Sequence, residues 1–290
     1  MITEFAAAKI NLALHVTGKR DDGYHLLDSA VMFASDAGDV LDVSFADETS
    51  LTVSGPFSQG LETDAGNLVL KAFAALHSRY PDEVRPCSMN LHKALPVASG
   101  IGGGSADAAA ALRAIVRLNG LAVDEPTLAG LALQLGADVP VCIASNACRM
   151  RGIGEIIDAW PHAPSLHAVL VNPLIGVSTA GIFRHLGLVP GNRTDTGIKG
   201  GFDDVNTTDA SFAWLQTCRN DLEPAACHLE PVISDVLHAV GQLAGCRLSR
   251  MSGSGATCFG LFEDADGAAM AAAELARQHP KWWVAATALV

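Results

Sequence analysis

The 290-residue chain has no basic excess. Its 19 lysines and arginines are outnumbered by 31 aspartates and glutamates, for a formal net charge of −12. Nucleic-acid binding needs cations to neutralise phosphates, so a nucleic-acid partner is not expected. The seven cysteines, at 87, 142, 148, 218, 227, 246 and 258, are odd in number, and no two have Cys-x-x-Cys spacing. That argues against a zinc site and against a disulfide framework, and for reduced thiols in a cytoplasmic protein. The ten histidines include no His-x-x-x-His or His-Glu-x-x-His arrangement, so no protein-bound metal is expected. No apolar run approaches the roughly 20 residues of a membrane span. The opening "MITEFAAAKINL" carries an acidic residue and no basic stretch before its apolar one, unlike a signal peptide. Internal repeats and low-complexity tracts are absent too.

What is present is a chain 49% hydrophobic, long enough for a sizeable core and for two domains. Residues 9–16, "KINLALHV", alternate, with Ile10, Leu12, Leu14 and Val16 on one side and Lys9, Asn11, Ala13 and His15 on the other. This predicts a half-buried strand, and Asp-Asp-Gly after it is turn chemistry. Further strands are expected over 28–46, 50–54 and 87–95, and a helix over 67–80. Ser105 to Asn119 is rich in alanine, leucine and arginine and predicts a helix, closed by Gly120 in the left-handed region. The next helix has Asp124 as N-cap, Pro126 in its first turn and Gly136 at its end. "ADVPVCIA" after it reads as extended. Residues 187–210 read as a polar, glycine-rich exposed loop, with 191–206 a candidate flap. Helices at about 209–218, 231–244 and 266–278, a buried strand in "LHAVLVNP", another after the second glycine loop and a last one in "WWVAATAL" complete the pattern. Interleaved strands and helices make the class α/β or α+β, in two layers.

The most informative stretch is "PVASGIGGGSADAAAAL", 96–112, which places four glycines directly before a helix. Glycine permits positive φ and close approach of a ligand to the backbone. A helix that starts at once presents unpaired N–H groups and the positive end of its dipole. Together they suit a phosphate, although such a loop also serves as a plain tight connection. It lacks the Gly-Lys-Ser/Thr ending of a P-loop, and no acidic residue closes a following strand as in a dinucleotide-binding fold.

"PVASGIGGGSADAA" resembles the second motif of the GHMP kinase superfamily. "AAAKINLALHVTGKRDDGYH", 6–25, resembles the first motif and "MSGSGATCFGLF", 251–262, the third. "KINL", "DDGYH", "LGADVPV" and "NPLIGVSTAGIF" are most similar to the branch that acts on a cytidine diphosphate conjugate of methylerythritol. The similar segments run from residue 6 to about 262. The resemblance implies an α+β, two-domain fold: an N-terminal ATP-binding domain over 1–158, like ribosomal protein S5 domain 2, and a ferredoxin-like C-terminal domain over 159–290, with the active site in the cleft between them. It also implies ATP-dependent phosphorylation of the 2-hydroxyl of that conjugate, in the non-mevalonate supply of isoprenoid precursors. Magnesium would arrive with ATP, held largely by phosphates and water. A monomer or a homodimer is compatible with it. A superfamily member acting on homoserine, mevalonate or a sugar is the alternative, and "DGYH" and "LGADVPV" argue against it. An inert nucleotide-binding relative would have no physical reason to keep both Lys9 and Asp138. Two departures are mild: Ile101 stands for the usual leucine, and Ala7 for a common proline.

Phosphoryl transfer needs an alcohol in line with the γ-phosphate, a carboxylate to take or orient its proton, and a cation to offset developing charge. By resemblance Asp138 is the carboxylate and Lys9 the cation. Taken singly, Asp138 could be a turn or capping residue and Lys9 a solvated strand lysine. The resemblance assigns ATP to Pro96, Val97, Ala98, Ser99, Gly100, Ile101, Gly102, Gly103, Gly104, Ser105 and Ala106, with Asn67 and Lys93 nearby. For Asn67 and Lys93 a helix cap and a solvated lysine are the plain alternatives. Tyr24 and His25 are assigned to the cytidine end, with Phe183 on the other face of the base, although a buried phenylalanine is more often core. Asn11 and Thr179 are assigned to substrate. Ser252, Gly253, Ser254 and Gly255 form a second small-residue loop, able to close on phosphates or substrate, or to be a simple turn.

Overall fold

The computed structural model describes residues 1–194, 196–200, 202 and 205–290. The chain falls into two compact units whose segments interleave: residues 1–8, 37–97 and 102–145 form the first, and 9–36, 98–101 and 146–290 the second. The sequence reading drew one boundary, at 158; in the contacts each unit gathers three stretches of chain.

Two long strands, β1 (Ile2–Lys19) and β2 (His25–Phe45), pair with each other and contribute residues to both units. In the first unit, residues 40–45 of β2 pair antiparallel with β4 (Cys87–His92). β3 (Ser50–Ser54) lies parallel on the other side of β4. Four helices accompany this sheet: α1 (Leu68–Arg79), α2 (Gly103–Asn119), α3 (Glu125–Leu135) and α4 (Val139–Ala144). Alanine keeps α2 slim, so that Ala106, Ala108–Ala111, Leu112, Ala114 and Ile115 are all buried. Its ends agree with the sequence signals: Gly120 is left-handed at φ 64°, ψ 33°, and Asp124 caps α3 through the Thr127 amide.

Three expectations need correction. Helix α2 begins at Gly103 rather than Ser105, because Gly102, at φ 68°, ψ 17°, makes the turn into it and leaves Gly103 and Gly104 in its first turn. "DVPVCIA" holds a helix, not an extended run. Pro140, with φ fixed near the helical value, starts α4, and Ser145 at φ 48° ends it. A short apolar run has no periodicity that separates buried strand from buried helix. Residues 9–16 of β1 are buried on both faces rather than one. Lys9, Asn11 and His15 are buried along with Ile10 and Leu12: residues 196 and 219 meet the His15 ring, and Ser29 meets the Asn11 amide. The Arg219 amide donates to His15 Nε2 at 3.2 Å, so Nδ1 carries the proton and donates to the Thr196 carbonyl at 2.7 Å.

In the second unit, residues 27–31 of β2 pair with β5 (Cys148–Gly152), which pairs with β6 (Ile156–Ala159). β7 (Leu166–Asn172) carries the helix α5 (Thr179–His185) after it. α6 (Thr208–Thr217), α7 (Glu223–Leu229) and α8 (Val232–Gly241) follow, then β8 (Leu248–Met251), β9 (Cys258–Phe262), α9 (Ala265–Gln278) and β10 (Trp283–Leu289). The strands run β10-β7-β9-β8, all antiparallel, and Leu289 of β10 reaches Ala34 of β2. Val169, Val171, Ile233, Val236, Phe262 and Leu275 are central to the core between this sheet and its helices. The sequence gives little sign of β5, β6, α5 or α7, all seven residues or shorter. Within the expected flap 191–206, residues 195, 201, 203 and 204 lie outside the described residues. The rest is tied down: Thr194 N–H donates to Thr17 O, Ile198 N–H to Asp28, and the Trp160 indole to Val205 O.

Buried polar groups in the first unit meet partners, as they must. Arg113 of α2 donates to Glu4 at 2.8 Å, to Phe5 O at 3.0 Å, and to Cys142 O and Ile143 O at 2.8 and 3.2 Å. The last two are end carbonyls of α4, which its own backbone cannot satisfy. Arg113→Ala leaves the enclosed Glu4 with Arg117 alone and takes the Arg113 donor from both carbonyls, of which Cys142 O keeps the Ser145 hydroxyl, and should cost about 2 kcal/mol. A urea titration should show a lower midpoint at unchanged slope, with Arg113→Lys in between.

Candidate active site

The glycine loop is divided between the units. Residues 98–101 belong to the second, and Gly102 onward to the first. In the second unit the three sequence motifs meet. The Lys9 amide donates to Ile101 O at 2.8 Å, and the Asn11 amide to Ser252 Oγ at 3.1 Å. Ser252 Oγ in turn donates to Gly100 O at 3.2 Å, and Thr257 N–H reaches Ser99 O at 3.0 Å. Backbones pass so closely that only glycine fits. A Cβ on Gly100, at φ 78°, would stand 2.6 Å from Gly255 O and 2.7 Å from Ser252 O. One on Gly253 would stand 2.5 Å from Gly100 O. The second small-residue loop is therefore more than a turn: it braces the first.

Residues that carry no motif hold this brace. Asn220 Nδ2 donates to Met251 O at 2.8 Å and Gly253 O at 2.9 Å. Arg250 reaches Leu12 O, Leu215 O and Cys218 O, and Glu223 accepts from the Met251 amide at 2.8 Å. Sequence reasoning missed all three, since an isolated Asn, Arg or Glu in a polar stretch gives no local signal of a buried carbonyl partner.

Lys9 is 3% exposed, so it is not a solvated strand lysine. Tyr24 is 58% exposed at the tip of its turn. The His25 and Phe183 rings are stacked on one another, centroids 4.5 Å apart, rather than spaced for a base between them. Burial, then the nearby Lys19 charge, lowers the His25 pKa and favours the neutral ring. Its Nε2 is buried and has no partner among the described residues. Thr179 Oγ1 lies 2.8 Å from Ser254 Oγ, which joins α5 to the third-motif loop. Beside the Tyr24 turn, Lys19, Arg20, Asp21, Asp22, Leu26, Gly191 and Arg193 line an open pocket of about 410 Å³.

In the first unit, Gly102 has no side chain with which to cap the first-turn N–H groups of α2. Pro96 and Ala106 are buried, Val97 is 49% exposed, Gly104 is exposed, and Ser105 is half-buried in the same turn. Asn67 is the N-cap of α1: its oxygen accepts from Val69 N–H at 2.9 Å and its amide donates to Glu62 O at 2.7 Å. Lys93 is not solvated either. Its ammonium donates to Asp39 and, at 2.6 Å, to Asp107, all three side chains enclosed. Asp39 also takes the Ala94 and Leu95 amides at 2.7 and 2.8 Å. This network underlies the turn, since a Cβ on Gly103 would stand 3.2 Å from the ammonium. Burial works against the Lys93 charge, but Asp107 and Asp39 outweigh it and leave its pKa raised. Burial pushes Asp107 up to about 7 against the pull of Lys93, with Asp39 adding to the rise. Asp138 occupies the N-cap position of α4 at φ −89°, ψ −9°, half-buried, yet its carboxylate makes no capping bond. Among the described residues no three His, Cys, Asp or Glu side chains group as a metal site. Nor, among the described residues, is any helix long and apolar enough to cross a membrane.

Two outcomes follow from this geometry. Gly100→Ala should cost about 3 kcal/mol or more. Gly60→Ala, at a similar φ of 80° but with open space around it, should cost only about 1 kcal/mol in the same urea titration. The folded chain holds a proton on Asp107 that the unfolded chain releases from about pH 4 upward. Its contribution to stability therefore falls as pH rises toward 7. Asp107→Asn should raise Tm at pH 8 by about 2–4 °C and leave it nearly unchanged at pH 5.

Comparison with known proteins gives two family matches. Residues 67–146 match the GHMP kinases N terminal domain, and 210–281 match the GHMP kinases C terminal region. The 4-diphosphocytidyl-2-C-methyl-D-erythritol kinase of Paramagnetospirillum magneticum is 47% identical over 98% of this chain and 97% of its own. The enzyme of that name from Rhizobium etli is 48% identical over 100% and 95%. Among solved structures, a 4-(cytidine 5'-diphospho)-2C-methyl-D-erythritol kinase superposes with a TM-score of 0.76 at 30% identity, covering 99% of both chains. A homoserine kinase from Cytophaga hutchinsonii, at 20% identity and TM-score 0.71, shares the fold.

Proposed function

The chain belongs to the GHMP kinase family, and from that membership we propose that it transfers the γ-phosphoryl group of ATP to the 2-hydroxyl of 4-diphosphocytidyl-2-C-methyl-D-erythritol. The products are ADP and the 2-phosphate, and the step belongs to the supply of isoprenoid precursors. Nearly full-length relatives at 47 and 48% identity carry this name, so the chain is a small-molecule kinase with an alcohol acceptor.

The mechanism turns on the carboxylate of Asp138, half-buried at the N-cap position of α4 and inside the "LGADVPV" segment that resembles the substrate branch. We assign it the proton of the attacking hydroxyl. The step breaks the bond between the γ-phosphorus and the bridging oxygen and forms one from the substrate oxygen to phosphorus. The hydroxyl proton leaves to Asp138. Lys9, withdrawn from water, supplies the positive charge that offsets charge on the transferring group. Residues 96–106 receive the ATP phosphates through the glycine backbone, the uncapped first turn of α2 and the Ser105 hydroxyl. Asn67 and Lys93 serve the nucleotide indirectly, the first by fixing the start of α1 and the second by supporting the turn at Gly103. Magnesium enters with ATP and neutralises charge on its phosphates.

Tyr24, His25 and Phe183 take the cytidine end. The neutral His25, with its buried Nε2 unpartnered, can serve a base as donor or acceptor. Asn11 and Thr179 take the methylerythritol part. The reading assigns residues 1–158 to the ATP-binding half and 159–290 to the other, with a cytoplasmic location and a monomer or homodimer as the working form.

Purified protein with Mg·ATP should consume ATP only when the conjugate is added and should form a new phosphomonoester visible by phosphorus NMR. Activity with homoserine or mevalonate instead would overturn the substrate. Asp138→Asn should still bind ATP but lose about 10²–10⁴-fold in kcat. A loss under tenfold would remove Asp138 from the proton's path.

A further inference from the structure

Side-chain amides can be turned either way round, and what faces each end decides which end a ligand meets. Asn11 is 1% exposed and Ser29 is 0% exposed. Asn11 and Ser29 meet across the β1–β2 pair, with Nδ2 2.7 Å from Ser29 Oγ. Ser29 Oγ lies 2.6 Å from the carbonyl of Ala13. That carbonyl can only accept, so the single hydroxyl proton of Ser29 must go to it. Ser29 Oγ then has only lone pairs to offer Asn11, and the Asn11 end that faces it must be the NH₂ group. The Asn11 main chain is fixed as well, by its amide bond to Ser252 Oγ at 3.1 Å. The carbonyl end, Oδ1, is buried and has no partner among the described residues. A buried acceptor without a donor is costly, so an orphan of this kind marks a place where a ligand supplies the donor.

We propose that Ser29 is a positioning residue that locks the Asn11 amide with Oδ1 toward the substrate, so that the enzyme selects a hydroxyl donor at that point. The inference rests on the kinase reading and extends it. The hydroxyl that is phosphorylated has one proton, which goes to Asp138. Asn11 Oδ1 therefore takes the proton of a second hydroxyl on the same polyol. The site is built for a diol at least, and a carbonyl, ether or deoxy carbon at the second position leaves Oδ1 unsatisfied. Asn11 shares its side of β1 with Lys9 two residues earlier, which sets this selection beside the proposed cation.

The test couples the protein change to a substrate change. Ser29→Ala should lower kcat/KM for the full conjugate by about tenfold, the kinetic equivalent of one neutral hydrogen bond, with KM for ATP unchanged. Conjugates with each non-reacting polyol hydroxyl replaced in turn by hydrogen are then compared. For one of them the parent should already be slowed about tenfold and Ser29→Ala should add less than about twofold. A Ser29→Ala loss of the same factor on every conjugate would make Ser29 merely structural and overturn the proposal, as would no loss at all. A second readout needs no substrate. In ¹⁵N-labelled protein, the Asn11 side-chain NH₂ pair, assigned through its loss in Asn11→Asp, should be protected from exchange in the parent and exposed in Ser29→Ala. Equal exchange in both would remove the lock. A parent inactive on the conjugate would sink the kinase reading and the second-hydroxyl assignment with it, while the exchange result would still decide whether Ser29 holds Asn11.

Discussion

Close approach of backbone to backbone is the constraint on which the second unit's part of the site depends. Gly100 and Gly253 let the segment 98–101 lie against 252–255 at distances that no side chain tolerates. That contact brings the second and third motifs together, and β1 joins them through the Lys9 and Asn11 amides. The glycines let one loop brace another, and in the proposed function they also open the backbone to a phosphate. Preorganised donors act only if their loop does not relax, so in that reading the brace matters as much as the glycine-rich surface does.

Buried charge is the second theme. Lys93, Asp39 and Asp107 bring two carboxylates and one ammonium under the turn that opens α2. One lysine cannot balance two ionised carboxylates away from water, and the result is an Asp107 that holds its proton toward neutral pH. Arg113 solves a different problem in the same unit. A six-residue helix leaves most of its carbonyls unsatisfied, and Arg113 reaches two of them from α2 while paired with Glu4. The helix it secures has Asp138 at its other end. Both networks spend stability-relevant polar groups on keeping short pieces of chain in place.

The sequence alone determined a good deal. Gly120 and Asp124 marked helix ends because caps are local chemistry, and the alanine run marked α2 because propensity is local too. Three ordered motifs and "DGYH" pointed to a GHMP kinase and its substrate branch, in accord with relatives at 47 and 48% identity. What only the tertiary structure decided was anything that depends on a partner distant in the chain. The polar side of β1 meets groups distant in the chain, His15 at residues 196 and 219 and Asn11 at Ser29, and alternation cannot report what lies over a strand. The helix in "DVPVCIA" came from Pro140 and its packing, where six residues hold too little periodicity to choose. For Lys93, placed near ATP by resemblance, a solvated lysine stayed open as the alternative until Asp39 and Asp107, 54 and 14 residues away, gave it buried partners. The orientation of Asn11 depends on Ser29 and the Ala13 carbonyl, a chain of donors and acceptors with no trace in residue order. Local chemistry is written in neighbouring residues, whereas hydrogen-bond direction and burial belong to groups that meet only when the chain has folded.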